Sequence, residues 1–591
     1  MQDTFDELYK RSQECNMKGV DLYSIITSKK NILLAYRTIK SNTGAKTCGT
    51  DGLTIDNYKY DNEENFIEDI QNNFNNYKPD SVRRTWIPKT NGKKRPLGIP
   101  TMKDRLIQQC IKQVLEPICE AKFYAHSYGF RPNRSTHDAM ARSMFLINIS
   151  KLHHIVDIDI QGFFDNVNHS KLLKQLYNIG IQDKRILAII YKMLKAPIKG
   201  EGIPAKGTPQ GGILSPLLSN IVLNDLDWWI ASQWEEMRTK HTYAQKGGKT
   251  QALKRTSKLK QMYIVRYADD FKIFTNSHKS AIRIYHAVRG YLKDRLNLDI
   301  SPDKSTITNL RRNKSEFLGF SLKAVKKRNR YVANTLISCK KKKIIQRKIR
   351  RHIINIQKSP TYENIAKYNP YILGIQNYYR IATHVTKDFR EIAYRLNKTI
   401  FNRLKTTGKW GVPKNQSPTY KKYFKNNYRT FEIQKVNLYP IADIKTKNAL
   451  NFTQEKCNYT AKGRKLLEHK YLDNMINEEI KILLYSTTEY NSMEYIDNRL
   501  SKYSMQKGCC AITGEFLLAE RVHCHHVIPR SLGGTDEYKN LVIVSKEVHR
   551  LIHATTSMTI KWYVDNLQLD GKQLKKINIY RKKCNLEAIK E

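Results

Sequence analysis

Two groups of carboxylates stand out because strand-like apolar residues flank each of them. Asp269 and Asp270 interrupt the run IVRYADDFKIF, and Asp157 and Asp159 alternate with apolar residues in HHIVDIDI. Period-two alternation predicts that Asp157 and Asp159 share one face of a strand. Acids from two strands could hold the two cations, about 4 Å apart, that phosphoryl transfer uses. An Asp-Asp pair is equally typical of an ordinary hairpin turn, so further motifs must decide.

A second cluster able to do chemistry lies near the C-terminus. His525 and His526 end a strand-like run, Asn540 precedes another such run, and His549 and His553 are four residues apart. That spacing places both imidazoles on one face of a helix, as ligands of a single metal ion require. Two core histidines could explain any pair of these residues. They do not easily explain four histidines together with Asn540.

The balance of charge indicates a polyanionic partner. Of 591 residues, 104 are Lys or Arg and 54 are Asp or Glu, which leaves a formal net charge of +50. Nucleic acid is the usual partner of such a chain, whereas solubility alone needs far less charge. No apolar run reaches transmembrane length, the start MQDTFDELYK lacks a signal-peptide pattern, and the cysteines are scattered. We therefore expect no membrane association and a reducing compartment, either the bacterial cytoplasm near the nucleoid or an organellar matrix.

One stretch concentrates the positive charge. Between Glu316 and Glu363 there are fourteen Lys and Arg residues and no acid. Apolar residues recur there at helical spacing, at Ile345, Ile349, Ile353 and Ile356. The pattern predicts a helix with one buried face, whose other faces contact a phosphate backbone rather than forming a merely solvated surface. The residues predicted to make these contacts are Lys340, Lys341, Lys342, Lys343, Arg347, Arg350 and Arg351.

Other elements are predicted from periodicity and length. Apolar residues recur every three to four positions between Asp104 and Glu120, which predicts an amphipathic helix. The polar, lysine-rich stretch from Glu235 to Gln261 has little periodicity and is interpreted as a mobile basic insertion. A chain of this length exceeds one hydrophobic core, so several domains are expected.

The order of the motifs resembles that of group II intron reverse transcriptases. From Asn42 to Phe320 the motifs are NTGAKTCGTDG, GKKRPLGIPTMKDRLIQ, YGFRPNRSTHDA, DIDIQGFFDNVNH, GTPQGGILSPLLSNIVLNDLD, YADD, SPDKS and FLGF. The next region resembles the family's thumb and maturase domain, and residues 509–553 resemble HNH endonucleases. The resemblance implies a multidomain α+β protein with a right-hand fold of fingers, palm with an antiparallel sheet and helical thumb, followed by a ββα-metal HNH module. The implied limits are 1–325 for fingers and palm, 326–425 for the thumb and maturase domain, 426–500 for a DNA-binding region, and 501–591 for the HNH module and tail.

The same resemblance assigns roles in the polymerase. It implies that Asp159 and Asp269 are catalytic metal ligands and that Asp270 completes the acidic turn, while Asp157 and Asp165 are structural or supporting acids. Six further residues match substrate-contacting or supporting positions: Lys94, Arg95, Arg131, Phe164, Gln210 and Lys304.

Each of these matches has a physical reason. Lys94 and Arg95 would clamp the triphosphate, and Arg131 would support that region. Gln210 would lie near the nascent base pair. Lys304 would act on the leaving pyrophosphate, and Phe164 would be an aromatic gate. Because such a gate collides with a ribose 2′ hydroxyl, Phe164 favours a DNA product.

In the C-terminal module the resemblance implies that His526 is the general base. His525, His549 and His553 are the implied metal ligands, with Asn540 as a further member of the metal site. Many related modules add two Cys-x-x-Cys pairs, but the matching places here hold Cys510 with Thr513 and Ser545 with Val548. One cysteine in four cannot build a thiolate site, so no structural zinc is expected.

The implied function is that of an RNA-directed DNA polymerase that binds its intron RNA, assists splicing and nicks target DNA to prime reverse transcription. Expected cofactors are Mg²⁺ at the polymerase centre and a divalent ion, Mg²⁺ by preference, at the HNH centre. Expected partners are intron RNA, target DNA and dNTPs, and a homodimer is compatible with the sequence. One alternative is a free-standing reverse transcriptase of the retron or defence type, which the thumb extension and HNH module disfavour. Another is a splicing factor with idle catalytic residues, which the intact acids disfavour.

Overall fold

The computed structural model describes residues 1–58, 63–88, 92, 94–414, 416–468, 479–480, 482–483 and 493–589. Helices and antiparallel strands in these residues form three hydrophobic cores. The arrangement confirms the expected multidomain α+β class. Among the described ranges, no helix combines the length and the apolar character that a membrane span needs.

The N-terminal region packs helices around one long central helix. These helices are α1 Gln2–Gln13, α2 Leu22–Ile26, α3 Lys29–Lys40, α4 Glu63–Asn75 and α5 Met102–Glu120, with short 3₁₀ turns at Thr43–Lys46 and Ile55–Tyr58. Helix α5 confirms the helix predicted over residues 104–120, and Thr101 caps it by accepting a hydrogen bond from the Asp104 amide. Strands β1 Arg83–Pro88 and β2 Lys94–Ile99 form an antiparallel hairpin beside these helices.

The palm is a four-stranded antiparallel sheet in the order β4-β5-β3-β6. Its strands are β3 His154–Ile158, β4 Tyr263–Tyr267, β5 Asp270–Thr275 and β6 Thr306–Asn309. Val156 and Ile158 face the N-terminal core and Ile155 faces the second core, so the central strand needs apolar residues on both sides. The helices of this region are α6 Thr136–Asn148, α7 Phe163–Asn166, α8 His169–Ile179, α9 Lys184–Leu194, α10 Ser215–Gln233, α11 Lys246–Thr256 and α12 His278–Leu296.

The stretch 235–261 contains regular structure that its weak periodicity did not predict, while its mobility stays a prediction. It contains helix α11, which buries Leu253 and whose Lys249 donates to the Glu235 carbonyl at 3.3 Å. A single apolar anchor is too weak a periodic signal to predict from sequence, because one buried residue does not define a helical face.

A second sheet leads into the thumb. It consists of β7 Ser315–Phe317, β8 Phe320–Lys327 and β9 Arg330–Ile337, and the thumb helices are α13 Cys339–Lys358, α14 Tyr362–Tyr379 and α15 Val385–Leu404. The four isoleucines predicted to form the apolar face of α13 are all buried. The predicted domain limit at 325/326 lies inside β8.

The chain beyond the thumb packs back on both neighbouring regions. Strands β10 Lys409–Gly411, β11 Thr430–Ile433 and β12 Val436–Asn437 form one small sheet. Helix α16 Pro418–Tyr423 lies between β10 and β11 in sequence, and helix α17 Ala461–Glu468 follows β12. Ile433 and Leu438 join the thumb core. Further on, Arg464 donates to both carboxylate oxygens of Asp6 at 2.8 and 2.7 Å. The first part of the predicted DNA-binding region is thus attached to the thumb and to the N-terminal helix.

The C-terminal module is a hairpin followed by a helix. Strands β13 Val522–His526 and β14 Leu541–Ser545 pair antiparallel and lead directly into α19 Lys546–His553. Three further helices pack around this unit, namely α18 Met493–Met505, α20 Ser557–Leu567 and α21 Gly571–Lys583. The ββα order is the one expected for an HNH fold.

Candidate functional site

A two-residue hairpin turn carries the acidic pair. Tyr267 pairs with Asp270 at the end of β4 and β5, so Ala268 and Asp269 form the turn. Ala268 has a φ of +58°, a left-handed value that an L-residue adopts at a steric cost. Asp269 and Asp270 are both exposed at this end of the sheet. The turn therefore presents two carboxylates beside the central strand β3.

The third predicted acid, Asp159, follows β3 and is hydrogen-bonded to the loop 301–305. Its amide donates to Ser305 Oγ at 3.2 Å, and its carbonyl accepts from the Ser301 amide at 2.7 Å. Lys304 Nζ donates to Asp159 Oδ2 at 2.9 Å. Lys304, predicted to act on pyrophosphate, thus contacts a predicted metal ligand directly.

Electrostatics link the acids although their oxygen atoms are not clustered. Desolvation by neighbouring residues raises the pKa of Asp270 to about 6, although the residue is exposed at the surface. Nearby negative charges at Asp157, Asp269 and Asp159 add to the rise, and Lys272 opposes it. Within the described residues, these acids are not among the groups whose ligand atoms all lie within 4.8 Å of one another. A bound cation would relieve the repulsion between these carboxylates, so the acids fit a divalent ion. To bind it, Asp159 would release its contact with Lys304.

Asp157 has a structural environment, as predicted. Its carboxylate contacts the buried ammonium of Lys272 and accepts a hydrogen bond from Ser315 Oγ at 2.8 Å. Lys272 is therefore the internal counter-ion of the palm sheet.

The fingers hairpin and the PQGG loop are joined by backbone contacts. The Gly98 amide donates to the Gln210 carbonyl at 2.6 Å. Gly211 has a φ of +120°, and a Cβ there would lie 2.3 Å from the Gly98 carbonyl oxygen, so only glycine fits. A cavity of about 370 Å³ opens between the hairpin, Asp165 and Gln210.

The other predicted substrate residues lie around the same region. Lys94 and Arg95 are exposed on β2. Phe164 is half-buried, and its carbonyl accepts from the Thr208 amide at 2.7 Å, which joins the predicted gate residue to the residue just before PQGG.

Arg131 is a correction as a substrate-binding residue, because its side chain bonds groups of the fold instead; the predicted supporting role is compatible with this. Its side chain is 2% exposed. It donates to both carboxylate oxygens of Glu120 at 2.9 Å and to the carbonyls of Tyr124 and Ser127 at 2.7 and 2.9 Å. With its donors used inside the fold, Arg131 braces the chain between α5 and α6.

Lys342 is the second correction, on the basic helix α13. Its ammonium lies 2.5 Å from Asp388 and 2.8 Å from Glu391, two acids of α15, and is therefore an internal partner of the thumb. The other predicted RNA-binding residues of α13 are exposed, as the prediction requires: Lys340, Lys341, Lys343, Arg347, Arg350 and Arg351.

Three histidines of the C-terminal module form a compact group. The ligand atoms of His525, His549 and His553 all lie within 4.8 Å of one another. Within the described residues His525 Nε2 is buried without a hydrogen-bond partner, as expected of an atom placed for a metal ion. Burial, followed by repulsion from neighbouring histidines, lowers the pKa of His525 to about 3 and that of His549 to about 2. Neutral imidazoles are the form that binds metal.

The predicted base, His526, lies next to this group with its ring held on two sides. Its Nε2 lies 2.8 Å from Asp536 Oδ1. Its ring stacks on Tyr495 with centroids 5.3 Å apart and an interplanar angle of 14°. Asp536 also pairs with Arg530, so the carboxylate is itself held in position.

Asn540 is the third correction, since it is not placed as a metal ligand. Its amide oxygen accepts from the Ile528 amide at 2.8 Å, and its amide nitrogen donates to the Ile528 and Thr535 carbonyls at 2.9 Å. Asn540 therefore closes the loop between β13 and β14.

Residues not predicted from the sequence complete this module. His523 stacks on His549 with ring centroids 3.6 Å apart, and Asp536 orients His526. The alternation of His523 with His525 in VHCHH could have indicated a shared face. Asp536 lies in a loop, and no periodic signal points to it.

The places that hold zinc ligands in related modules have other roles here. Ser545 caps α19 by accepting from the Val548 amide at 3.1 Å, and Val548 and Cys510 are buried in the apolar core. The absence of a structural zinc stays a prediction.

Comparisons with known proteins match both halves of the chain. A family described as reverse transcriptase (RNA-dependent DNA polymerase) matches residues 87–322, and one described as HNH endonuclease matches residues 508–555. The group II intron-encoded protein LtrA of Lactococcus lactis subsp. cremoris is 31% identical over 494 residues, in an alignment that covers 70% of this chain and 80% of LtrA. Protein YkfC of Escherichia coli is 32% identical over 332 residues, in an alignment that covers 54% of this chain and 86% of YkfC. An uncharacterized 91 kDa protein in the cob intron of Schizosaccharomyces pombe is 32% identical over 355 residues, in an alignment that covers 54% of this chain and 43% of that protein.

Proposed function

The chain belongs to the family of group II intron-encoded proteins, and from this premise we propose how its two centres divide the work. It is an RNA-directed DNA polymerase that also carries an HNH endonuclease, and it serves intron splicing and mobility. We assign DNA synthesis to the acids of the palm and DNA nicking to the histidines of the C-terminal module. The observation that carries this division is that each centre is assembled on its own sheet and core.

At the polymerase centre, Asp159, Asp269 and Asp270 would hold the divalent ions. When bound, these ions activate the primer 3′ hydroxyl and stabilise the charge of the leaving pyrophosphate. Lys304 is held beside Asp159 and is proposed to neutralise that pyrophosphate. Phe164 is tied to the loop that precedes Gln210, which supports its role beside the nascent base pair.

The residues of the fingers would receive the triphosphate. Lys94 and Arg95 are exposed on β2, and the Gly98–Gln210 hydrogen bond fixes that hairpin relative to the palm. A preorganised positive charge stabilises a triphosphate whose negative charge shifts during transfer.

At the nicking centre, His526 is the proposed base. When Nε2 donates to Asp536, the lone pair lies on Nδ1, which can accept the proton of an attacking water. His525, His549 and His553 would hold one divalent ion, which supplies stabilisation of charge on the phosphate.

The two donor sets favour different ions. Carboxylate oxygens suit Mg²⁺, in agreement with its prediction at the polymerase centre. Three imidazole nitrogens favour a transition-metal ion, which supports such an ion rather than the predicted Mg²⁺ as the proposed ligand of the HNH centre.

Intron RNA is the proposed ligand of the exposed basic residues of α13. Its apolar face is buried, and six predicted cations remain at the surface without an acidic residue in the helix. Lys342 is excluded from this surface by its acidic partners.

Primer extension on an RNA template tests the polymerase assignment. Asp269→Asn removes a ligand and should reduce extension by more than about 100-fold while RNA binding is retained. Asp299→Asn, which changes an exposed acid outside the cluster, is the matched control and should extend normally. Extension by Asp269→Asn at the control's rate would contradict the assignment.

Two variants separate the roles at the nicking centre. His526→Ala should abolish nicking while metal binding persists, because the three ligands remain. His549→Ala should lose both. Primer extension from a supplied primer should continue in each variant, which also reports that the polymerase is folded. Undiminished nicking by His526→Ala would refute its role as base.

A further inference from the structure

The turn that carries Asp269 and Asp270 rests on a buried arginine outside the acidic cluster. Arg266 lies in β4 and its side chain is 1% exposed. It donates from Nε and Nη2 to the Asp227 carboxylate at 2.6 to 3.0 Å. Its remaining contacts run from Nη1 to Asn220 Oδ1 and to the Ala268 carbonyl, each at 2.9 Å. The guanidinium thus joins helix α10 to the carbonyl of a turn residue.

A glycine also packs closely against the turn. A Cβ on Gly129 would lie 2.2 Å from the Ala268 amide nitrogen, so the two backbones touch. Asn220, which accepts from Arg266, donates from Nδ2 to the Gly129 carbonyl at 2.9 Å. One residue of α10 therefore contacts both structures that hold Ala268.

Ala268 needs such a support because its φ of +58° is unfavourable for a residue with a Cβ. A strained backbone conformation persists only where the surroundings over-determine it, and it is typical of functional sites. Relaxation of Ala268 would reorient the backbone of Asp269 and Asp270, which follow it directly. A role in the overall stability of the fold explains the Arg266–Asp227 pair less well, because the cost of desolvating two buried charges offsets much of their attraction.

We propose that Arg266 is a positioning residue of the polymerase: supported by Asp227 and Asn220, it fixes the Ala268 carbonyl and thereby the direction in which Asp269 and Asp270 point toward the metal ions. The inference rests on the proposed polymerase centre and adds a residue that touches neither substrate nor metal.

The decisive variant is Arg266→Lys, which keeps the charge but replaces the three donor nitrogens that bond Asp227, Asn220 and Ala268 with a single one. Expected results are a fall in kcat of about 10- to 100-fold with a smaller change in the KM for dNTP, and a similar rise in the Mg²⁺ concentration for half-maximal rate. Rates are expressed per active site, titrated with a labelled primer and RNA template, so that unfolded protein does not count.

A readout independent of activity is Mn²⁺ binding followed by electron paramagnetic resonance in a His549→Ala background, which silences the histidine site. Affinity at the polymerase centre should fall about 10-fold or more in Arg266→Lys. Adding Ala268→Gly should restore most of the lost kcat and affinity, because glycine adopts a positive φ without a steric cost.

Arg142→Lys is the matched control, because it alters another buried arginine–carboxylate pair, Arg142 with Glu235 at 2.7 Å, that does not bond the turn. Equal losses in Arg266→Lys and Arg142→Lys, or no rescue by Ala268→Gly, would overturn the positioning role. Absence of extension by the unaltered protein would instead refute the polymerase assignment, so the two failures are distinguishable.

Discussion

Replacing Lys304 with Met tests two proposed roles of this lysine. It would compete with the metal ion for Asp159, and it would neutralise the leaving pyrophosphate. Lys304 Nζ lies 2.9 Å from Asp159 Oδ2, and the two side chains are 68% and 45% exposed. A pair this exposed is screened by water and contributes only about 0.2–1 kcal/mol. Its removal should therefore lower the Mg²⁺ concentration for half-maximal rate by no more than about fivefold.

Lys304→Met should also slow the reaction itself, and this loss of rate should exceed the gain from tighter Mg²⁺ binding. Loss of a group that neutralises or protonates the leaving pyrophosphate should reduce kcat by about 100-fold or more. Rapid-quench primer extension across a Mg²⁺ series measures both quantities, with Lys293→Met on α12 as an exposed-lysine control. An unchanged kcat, or a higher Mg²⁺ requirement, would refute the reasoning.

Two further predictions concern the thumb, and a third concerns the nicking module. Neutralising Lys340, Lys341 and Lys343 together should reduce the slope of log affinity for intron RNA against log salt by about 2. Lys342→Gln should instead cost on the order of 3 kcal/mol of stability, because the buried Asp388 carboxylate loses its cation. An unchanged slope would identify α13 as a merely solvated face. For the metal-free nicking module, burial lowers the pKa values of His525 and His549 to about 3 and 2. Both are neutral in the folded protein, and the unfolded chain takes up protons near pH 6.5, so the stability present above that pH is lost as pH falls below it. Pulse proteolysis at pH 7 and pH 5, with fragments mapped to residues 508–555, should show greater cleavage at pH 5, and equal cleavage would contradict the assigned burial.

Local patterns by themselves determined the chemistry and much of the scaffold of this protein. Alternation predicted strand β3 and the placement of Asp157 and Asp159 on one face, because side chains of a strand alternate whatever its neighbours. Helical spacing predicted α5, the apolar face of α13 and the pair His549 and His553 for the same reason. The ordered motifs then indicated a polymerase and an HNH module in one chain.

Partnership between distant residues was decided by the tertiary structure alone. Arg131, Lys342 and Asn540 have the side chains that their predicted roles need, yet each is occupied by groups that the fold brings to it: Glu120, two acids of α15 and the backbone of a loop. A pattern along the chain gives the face on which a side chain lies but not the charge that will meet it.

The same reason explains what the sequence left unpredicted. Asp536 holds His526 from a loop, and Asp227 holds Arg266 from a helix 39 positions away along the chain. Such contacts leave no periodic trace, because they depend on how loops and elements pack rather than on the repeat of any one of them. Residue types and their order thus determined which reactions the chain can perform, and packing decided which of the charged groups are available to perform them.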